Sequence, residues 1–570
     1  MHGLLLLLIL PVVIASQYFE LDHKFSDTVR ACDDFYTFVC NPEENKNGTY
    51  MYHRKKMYIN AVLDGFKNYS DPIADYIRDI YFREARNRSL FLKGQKIGEE
   101  AVKGNGRFRT TSYDPALSIL SLTDDKVVRL PSGDNYVVVK CLYKDCPGFI
   151  KGIVHGFKSI SDAEDLLDLS TLTIKAKYVV DDEEEFTQEQ KDEIDAKIFG
   201  PEKFKNFHIP YLNLVALKFG IERGLLLSEE LEVQYESFYK ALVNETVEQL
   251  KRQTWIPEDK RQAVIQSVYD VKPTLYLSKA SKNIDNVNEA IDFFVAEFEK
   301  VEPKLRLKFK DESCDIKCLL SDNDIGSLTL RRYQYRYGKT DKYVDILEVG
   351  FWRDKIYIPN SLNMVDRLFI LPSFVASANE DFPLGFRFGL LGHTLAHELF
   401  HTLDPKWKTD GDKRANMLHG LKEYDEAIQC YKDYYGSFSA TAPNGTLFFP
   451  DGATKMNEGF ADLEGGRAAL VALGNSVFKG GMTLKSAPCS ISRFNDYQWY
   501  FITAMAYTCG NSNDSDFEVF LSRKNTPHPR DRIRLNAFVR QMPMFSQMFY
   551  CKPGDPMYVV EKQCKAFPIE

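Results

Sequence analysis

The sequence predicts a predominantly helical protein of the α+β class. Long amphipathic stretches with apolar residues at helical spacing dominate the first 310 residues, as in 73–92, 229–254 and 257–271. Segment 169–180 is rich in β-branched residues, and from about residue 325 short segments such as 328–333 and 355–359 alternate apolar and polar residues as strands do. At 570 residues the chain can build a large core and divide into two domains.

Composition excludes one broad class of function. Apolar residues make up 44% and charged residues 27% of the chain, which is typical of a soluble globular protein. The formal net charge is −8, and no long run of Lys or Arg occurs. Because binding to nucleic acid requires a basic surface, the sequence predicts no nucleic-acid partner.

The first 16 residues have the pattern of a signal peptide. The apolar run from Leu4 to Ile14 is too short to cross a bilayer as a helix, and the small residues Ala15 and Ser16 follow it. We expect cleavage near residue 15 or 16, no membrane span in the mature chain, and secretion to the extracellular space. Six N-x-S/T sequons predict a glycoprotein, at Asn47, Asn68, Asn87, Asn244, Asn444 and Asn513. The eleven cysteines predict disulfides, with an odd one left over.

A metal-binding motif lies in the second half of the chain. His397-Glu398-Leu399-Phe400-His401 falls within an apolar run, 389–403, that we expect to be helical. Side chains four residues apart on a helix differ in direction by only about 40°, so the two imidazoles can bind one Zn²⁺ from the same face. Glu398 follows the first His and can act as the base for a water molecule on that metal.

A third ligand is required, and two candidates exist. Glu458 lies on a helix predicted in 450–470, and Asp462 one turn later shares its face and could accept the far N–H of a ligand His. His393 also precedes His397 by four residues. Over eight residues of a helix, however, the side-chain direction changes by about 80°, so three histidines at this spacing converge poorly on one ion. His393 could instead line the substrate groove beside the metal.

Segments across nearly the whole mature chain share the order and spacing of one known family. They are the block Cys32–Cys40, Trp255 with 257–261, the glycines of Phe388–Gly392 before the His motif, Glu458-x-x-x-Asp462 with Gly465-Gly466, His528-Pro529 with Arg534, and Cys509-Gly510, Cys551 and Cys564. In this order they resemble the neprilysin family of zinc metallopeptidases, whose relatives include the endothelin-converting enzymes.

The resemblance implies a role for each residue of the metal motif. His397, His401 and Glu458 would bind one Zn²⁺ per chain. Glu398 would be the general base that assists attack by a zinc-bound water molecule. Asp462 would orient His397 by accepting its second N–H.

Two further residues have roles by resemblance alone. His528 would stabilise the oxyanion of the tetrahedral intermediate, and Arg534 would hold a substrate carbonyl or carboxylate. Together these roles describe a secreted zinc-dependent metalloendopeptidase that hydrolyses peptides and small polypeptides. The alternative is a catalytically weak or inactive secreted binding or scaffold protein on the same fold.

The resemblance also implies an architecture. A signal peptide over 1–16 would precede a mostly helical N-terminal domain over 17–320 and a thermolysin-like catalytic domain over 335–570, and the two domains would enclose a central cavity. The implied disulfides are Cys32–Cys551, Cys40–Cys509, Cys430–Cys564 and Cys141–Cys146. A local pair between Cys314 and Cys318 would leave Cys489 as the odd cysteine.

The chain departs from the family pattern near the expected substrate groove. The family usually carries an Asn-Ala-aromatic strand that binds the substrate backbone, and the corresponding stretch, Ile346–Trp352, contains no Asn. His393 and Thr394 take positions that are usually apolar and line the pocket for the residue after the cleaved bond. We therefore expect weaker backbone anchoring and a relaxed preference for large apolar residues.

Overall fold

The computed structural model describes most of the chain outside its N-terminus. The described residues are 25–42, 50–67, 69–83, 112–114, 119–121, 138–141, 175–178, 187–199, 209–226, 229–274, 277–310, 323–344, 361–364, 367–372, 382–403, 417–479, 494–509 and 515–568, with single positions at 45, 85, 92, 95, 356 and 374. The predicted signal peptide and the sequons at Asn47, Asn68, Asn87 and Asn513 lie outside these ranges. Asn244 and Asn444 are described, and both are exposed.

Helices dominate the described residues, as predicted. Before residue 340 they are α1 (Phe35–Cys40), α2 (Tyr50–Phe66), α3 (72–83), α4 (Gln188–Phe199), α5 (Ile209–Glu222), α6 (Glu229–Arg252), α7 (Glu258–Asp270), α8 (Lys279–Lys282), α9 (Ile284–Glu299), α10 (Glu302–Lys310) and α11 (Asn323–Tyr337). After it they are α12 (Leu384–Arg387), α13 (His393–Phe400), α14 (Lys422–Gly436), α15 (Gly452–Lys479), α16 (Asp496–Ala504), α17 (Asp516–Arg523), α18 (Asp531–Arg540) and α19 (Pro543–Met548). A π-helical turn, Phe388–Gly392, joins α12 to α13, and 3₁₀ turns follow α13 at His401–Leu403 and α16 at Ala506–Thr508.

The strands are short and form four small sheets within the described residues. They are β1 (Ser112–Asp114), β2 (Ile119–Ser121), β3 (Val138–Cys141), β4 (Lys175–Tyr178), β5 (Lys272–Thr274), β6 (Ser361–Met364), β7 (Arg367–Ile370), β8 (Ala440–Thr441) and β9 (Leu447–Phe448). β4 confirms the strand expected in 169–180. The largest sheet has the order β5-β7-β6, in which β7 pairs parallel with β5 and antiparallel with β6. Among the described strands, β6 therefore lies at the edge of this sheet.

Two hydrophobic cores organise the described residues. The first core is formed by α1, α6, α7, the helix of the metal motif, and α14, α15, α16, α18 and α19. The second core is formed by α2, α3, α4, α5, α9, α10 and α11. Strand β7 contributes to both: Leu368 and Ile370 join the first core, and Phe369 joins the second. Because alternate residues of a strand face opposite sides of the sheet, this sheet lies between the cores. The domain boundaries at 320 and 335 stay a prediction.

One predicted strand is a helix. Segment 328–333 lies within α11. Leu330, Tyr333 and Tyr337 are buried in the second core at spacings of three and four residues, whereas Leu328 and Tyr335 are exposed. The short alternation of apolar and polar residues suggested a strand, but burial follows the helical period over the longer segment.

Three disulfides tie distant parts of the chain together. Cys32 is bonded to Cys551, Cys40 to Cys509 and Cys430 to Cys564, which are pairs that the family resemblance implied. The first two close loops of 519 and 469 residues and hold α1 against the C-terminal helices. Such bonds form in oxidising compartments outside the cytosol. The predicted pair Cys141–Cys146, and also Cys314, Cys318 and Cys489, involve residues outside the described ranges. No helix among the described residues has both the length and the apolar character needed to cross a membrane.

Candidate metal centre

The helix that carries the His motif is buried on every side. From Phe388 to Phe400 each residue is buried, including the polar residues His393, Thr394, His397 and Glu398. At Gly389 a Cβ atom would lie only 2.4 Å from the carbonyl oxygen of Tyr500, so the helix packs against the backbone of α16 where a side chain cannot fit. His397 and His401 therefore project from a helical segment whose position is fixed by close packing against neighbouring helices.

The second helix of the site, α15, approaches the first at a glycine. A Cβ atom on Gly465 would lie 2.8 Å from the carbonyl carbon of Ala396 and 2.8 Å from the amide nitrogen of His397. Only glycine permits this approach without a shift of one helix. The contact brings the side chains of Glu458 and Asp462 within reach of His397.

Three potential metal ligands converge between these helices. The Nε2 atoms of His397 and His401 lie 3.1 Å apart, and Glu458 Oε2 lies 3.5 Å from the first and 3.9 Å from the second. Around a tetrahedral zinc ion with ligand bonds near 2.1 Å, neighbouring ligand atoms are separated by about 3.4 Å. The three distances and the donor types, two imidazoles and one carboxylate, therefore fit a zinc ion.

A buried ion pair between Asp462 and Arg534 contacts His397 on the side of its ring that faces away from the cluster. Asp462 is fully buried, and its Oδ1 lies 2.8 Å from His397 Nδ1, the ring nitrogen that faces away from the cluster. The guanidinium of Arg534 donates to both carboxylate oxygens of Asp462 at 2.6 Å. The role of Asp462 in orienting His397 stays a prediction. The described contacts of Arg534 go to Asp462 and, at 3.9 Å, to Glu458, and its contact with substrate stays a prediction.

The electrostatics of the cluster favour positive charge. Burial alone would lower the pKa of His397, but the carboxylates of Asp462 and Glu458 raise it to about 10. Burial would likewise raise the pKa of Asp462, and the charges of Arg534 and His397 outweigh this effect and hold it below its usual range. Both carboxylates therefore stay ionised, as a cation site requires.

Glu398 has a partner that sequence reasoning missed. Ser361 Oγ donates a hydrogen bond of 2.6 Å to Glu398 Oε1. Ser361 is the first residue of β6, and Glu398 is buried with an exposed fraction of 5%. The stretch Ile346–Trp352, which we compared with the substrate strand of the family, lies outside the described residues. Strand β6 therefore contacts Glu398 through Ser361.

His528 lies on the opposite, open side of the cluster. Its Nε2 atom is 3.1 Å from Glu458 Oε2, and 46% of its side chain is exposed. It belongs to the segment between α17 and α18, whose residues 524–528 are all exposed. The imidazole of His528 therefore lies beside Glu458 with its other side open to solvent.

His393 lies outside the three-ligand cluster. It is completely buried, with Nε2 at 3.3 Å from the backbone oxygen of Asp462 and its ring against Phe538 at 5.1 Å between centroids. Burial lowers its pKa to about 3, so the ring is neutral. The hydroxyl of Thr394 donates to Leu390 O at 2.7 Å within its own helix. Both side chains therefore pack in the core behind the cluster.

Comparison with known proteins supports the resemblance for the C-terminal part of the chain. Residues 369–566 match the family model described as Peptidase family M13, a range that contains the metal cluster, His528 and Arg534. The match covers 198 of the 570 residues and supports the resemblance to the neprilysin family. Membrane metallo-endopeptidase-like 1 of Mus musculus is 29% identical over 216 residues, or 37% of this chain and 26% of the relative. Endothelin-converting enzyme 1 of Bos taurus is 26% identical over 180 residues, or 31% and 22% of the respective chains.

These sequence alignments cover only part of each chain. A comparison with solved structures finds a similar fold over nearly the whole chain. The chain spans about a quarter of the length of the curated relatives it matches. A chain of the Haemonchus galactose containing glycoprotein complex has 14% identity and a TM-score of 0.50, and the alignment covers 97% of the present chain and 98% of the Haemonchus chain. At this identity the similarity shows a shared fold alone.

Proposed function

We propose that the protein is a zinc-dependent endopeptidase that cleaves peptides and small polypeptides. The observation that carries the proposal is the convergence of His397, His401 and Glu458 on one point with ligand-like spacing. The base predicted by the motif, Glu398, stands next to this cluster in sequence, and Asp462 contacts the far nitrogen of His397. A site of this kind, completed by an orienting carboxylate, supports hydrolysis more than binding alone.

Each residue has a separate chemical task in this proposal. Zinc held by the three ligands would polarise the scissile carbonyl and acidify a water molecule. Glu398 would take the proton from the attacking water and deliver it to the leaving amine. The hydrogen bond from Ser361 holds one oxygen of Glu398 in place and so limits the rotamers that the base can adopt.

The open side of the site would stabilise negative charge and hold the peptide. His528 would donate to the oxyanion, since its ring is half-exposed and lies beside Glu458. Strand β6, an edge strand among the described residues, would bind the peptide backbone through an added strand. On the buried side of the cluster, Arg534 would bind a substrate carbonyl while its Nε and Nη2 stay on Asp462.

We also propose that the chain is secreted. The predicted signal peptide, the three disulfides and the exposed sequons at Asn244 and Asn444 support an extracellular protein.

The experiment is cleavage of a mixed peptide library by the purified protein, read by mass spectrometry, with zinc content measured in parallel. We expect wild type to cleave, a chelator to abolish cleavage, and Glu398→Gln to lower kcat by about 10²- to 10⁴-fold with zinc still bound. Glu426→Gln, an exposed change on α14, is the matched control and should keep full activity.

Two outcomes would contradict the proposal. If wild type and Glu398→Gln are equally inactive while zinc is bound stoichiometrically, the protein is a binding or scaffold member of the fold. If zinc is retained after loss of Glu458 but lost after loss of His393, the ligand assignment is wrong.

A further inference from the structure

A lysine of α15 binds the backbone of the segment that carries His528. Lys455 Nζ donates to the carbonyl oxygens of Arg523 at 2.6 Å and of His528 at 3.2 Å, and also to that of Thr526. All three acceptors belong to residues 523–528, which run from the end of α17 to His528. Lys455 therefore binds the backbone of this segment at its start, middle and end.

The environment of Lys455 suits the binding of three backbone carbonyl groups. Its exposed fraction is 4%, and its ammonium group donates to three carbonyl oxygens. An ammonium group has three N–H donors, which matches three acceptors. Arg523 is the last residue of α17, where the helix dipole also favours a cation. Burial, with the nearby charge of Arg523, lowers the pKa of Lys455.

Lys455 also stands close in sequence to the proposed metal ligand. It precedes Glu458 by three residues on α15, about one helical turn. The bonds of Lys455 thus fix the His528 backbone to the same helix turn that presents Glu458. The far end of the segment has its own anchor, because Arg530 donates to Asp516 at 2.7 Å and to the carbonyl oxygen of Phe438 at 3.3 Å. His528 lies between these two anchors.

We propose that Lys455 is a positioning residue that sets the place of the His528 imidazole over the metal centre by binding the carbonyls of 523–528. The inference rests on the proposed function, in which His528 stabilises the oxyanion. Lys455 itself touches neither substrate nor metal. Thr526 also donates to the carbonyl oxygens of Arg523 and His528, but it does so from within the segment. Loss of the Lys455 ammonium would therefore remove the hydrogen bonds that link these carbonyls to α15 and let the exposed segment move away from Glu458.

A double-mutant cycle tests the proposal. Lys455→Met keeps the apolar stem and removes the ammonium. We expect it to lower kcat by about 10- to 100-fold, as misplacement of a catalytic group by about 1 Å does, with KM within about twofold and zinc content unchanged. In the background of His528→Ala the same change should have no further effect on kcat. Lys524→Met removes an exposed lysine of the same segment and is the matched control, with wild-type kcat expected.

A second measurement does not depend on cleavage. Hydrogen–deuterium exchange of residues 523–530 should be faster in Lys455→Met than in wild type and unchanged in Lys524→Met. Equal exchange in all three proteins, or independent and multiplicative effects of Lys455→Met and His528→Ala on kcat, would overturn the proposal. The proposed function fails differently: wild type itself would not cleave, or His528→Ala would be as active as wild type, and the exchange data would still decide whether Lys455 anchors the segment.

Discussion

The two sides of the candidate metal centre are built in different ways. On the helical side, the three proposed ligands and Asp462 come from two buried helices that meet at Gly465. On the open side, His528 comes from an exposed segment, and Ser361 from an edge strand. The helical side is held by close packing, whereas each group on the open side depends on a few polar contacts made by one side chain.

Because the two sides are held by different contacts, we expect substitutions to affect metal binding and catalysis separately. Changes to the helical side should alter the stability of the fold and the affinity for zinc together, because the same contacts serve both. Changes to the open side should alter kcat while the fold and the metal stay as they are. Each prediction below tests this separation.

The largest effect is expected from Asp462→Asn. The change leaves the buried guanidinium of Arg534 without its ionised partner, which destabilises the fold by about 3–5 kcal/mol. It also weakens the contact with His397 Nδ1, so zinc affinity should fall by about 10- to 100-fold. Urea unfolding of the metal-free protein and zinc titration against a competing chelator measure the two effects.

Glu464 offers a matched control on the same helix. It is also fully buried, and it accepts from Arg467 at 2.9 Å and from the amide of Ala566 at 2.7 Å, away from the metal ligands. Glu464→Gln should lower stability and leave zinc affinity unchanged. If Asp462→Asn behaves in the same way as Glu464→Gln, Asp462 is a structural residue and does not orient His397.

A smaller effect is expected from Gly465→Ala. The added methyl group would meet the backbone of Ala396 and His397, so α15 must move away from α13, at a cost of about 1–3 kcal/mol in stability. Because Glu458 and Asp462 move with α15, zinc affinity should fall as well.

Gly474 lies further along α15 and provides the comparison. A Cβ atom there meets only the hydroxyl of Tyr497, at 3.2 Å. Since alanine is a better helix former than glycine, Gly474→Ala should leave stability equal or raise it by up to about 1 kcal/mol. Thermal unfolding of both variants is the measurement, and equal stability of the two would show that α13 and α15 tolerate a wider separation.

Local rules predict part of the helical side from the sequence. Helical periodicity places His397 and His401 on one face, and the same period places Glu458 and Asp462 together. Those rules say only that each pair shares a face. The step that joins the two pairs came from the resemblance to the neprilysin family, and the structure brings them together through Gly465.

The open side could not be predicted in this way. Ser361 and Glu398 are 37 residues apart, and Lys455 binds carbonyls 68 to 73 residues later. Contacts of a side chain with a distant backbone leave no periodic signal in a sequence. Segment 328–333 was wrongly predicted to be a strand for a related reason. Six residues are too few to distinguish the two-residue period of a strand from the 3.6-residue period of a helix.

The smallest effect is expected from Ser361→Ala, and it tests the open side most directly. The change removes the hydroxyl that donates to Glu398 and leaves the strand backbone in place. A base that samples several rotamers is less often aligned with the attacking water, so kcat should fall about three- to tenfold with KM and zinc content unchanged. Ser361→Thr keeps a hydroxyl and should recover most of the activity. Ser437→Ala, which removes only a bond to a carbonyl of its own helix turn, should have no effect. A Ser361→Ala protein that loses zinc would break the separation between the two sides, because a group on the open side would then support the metal as well.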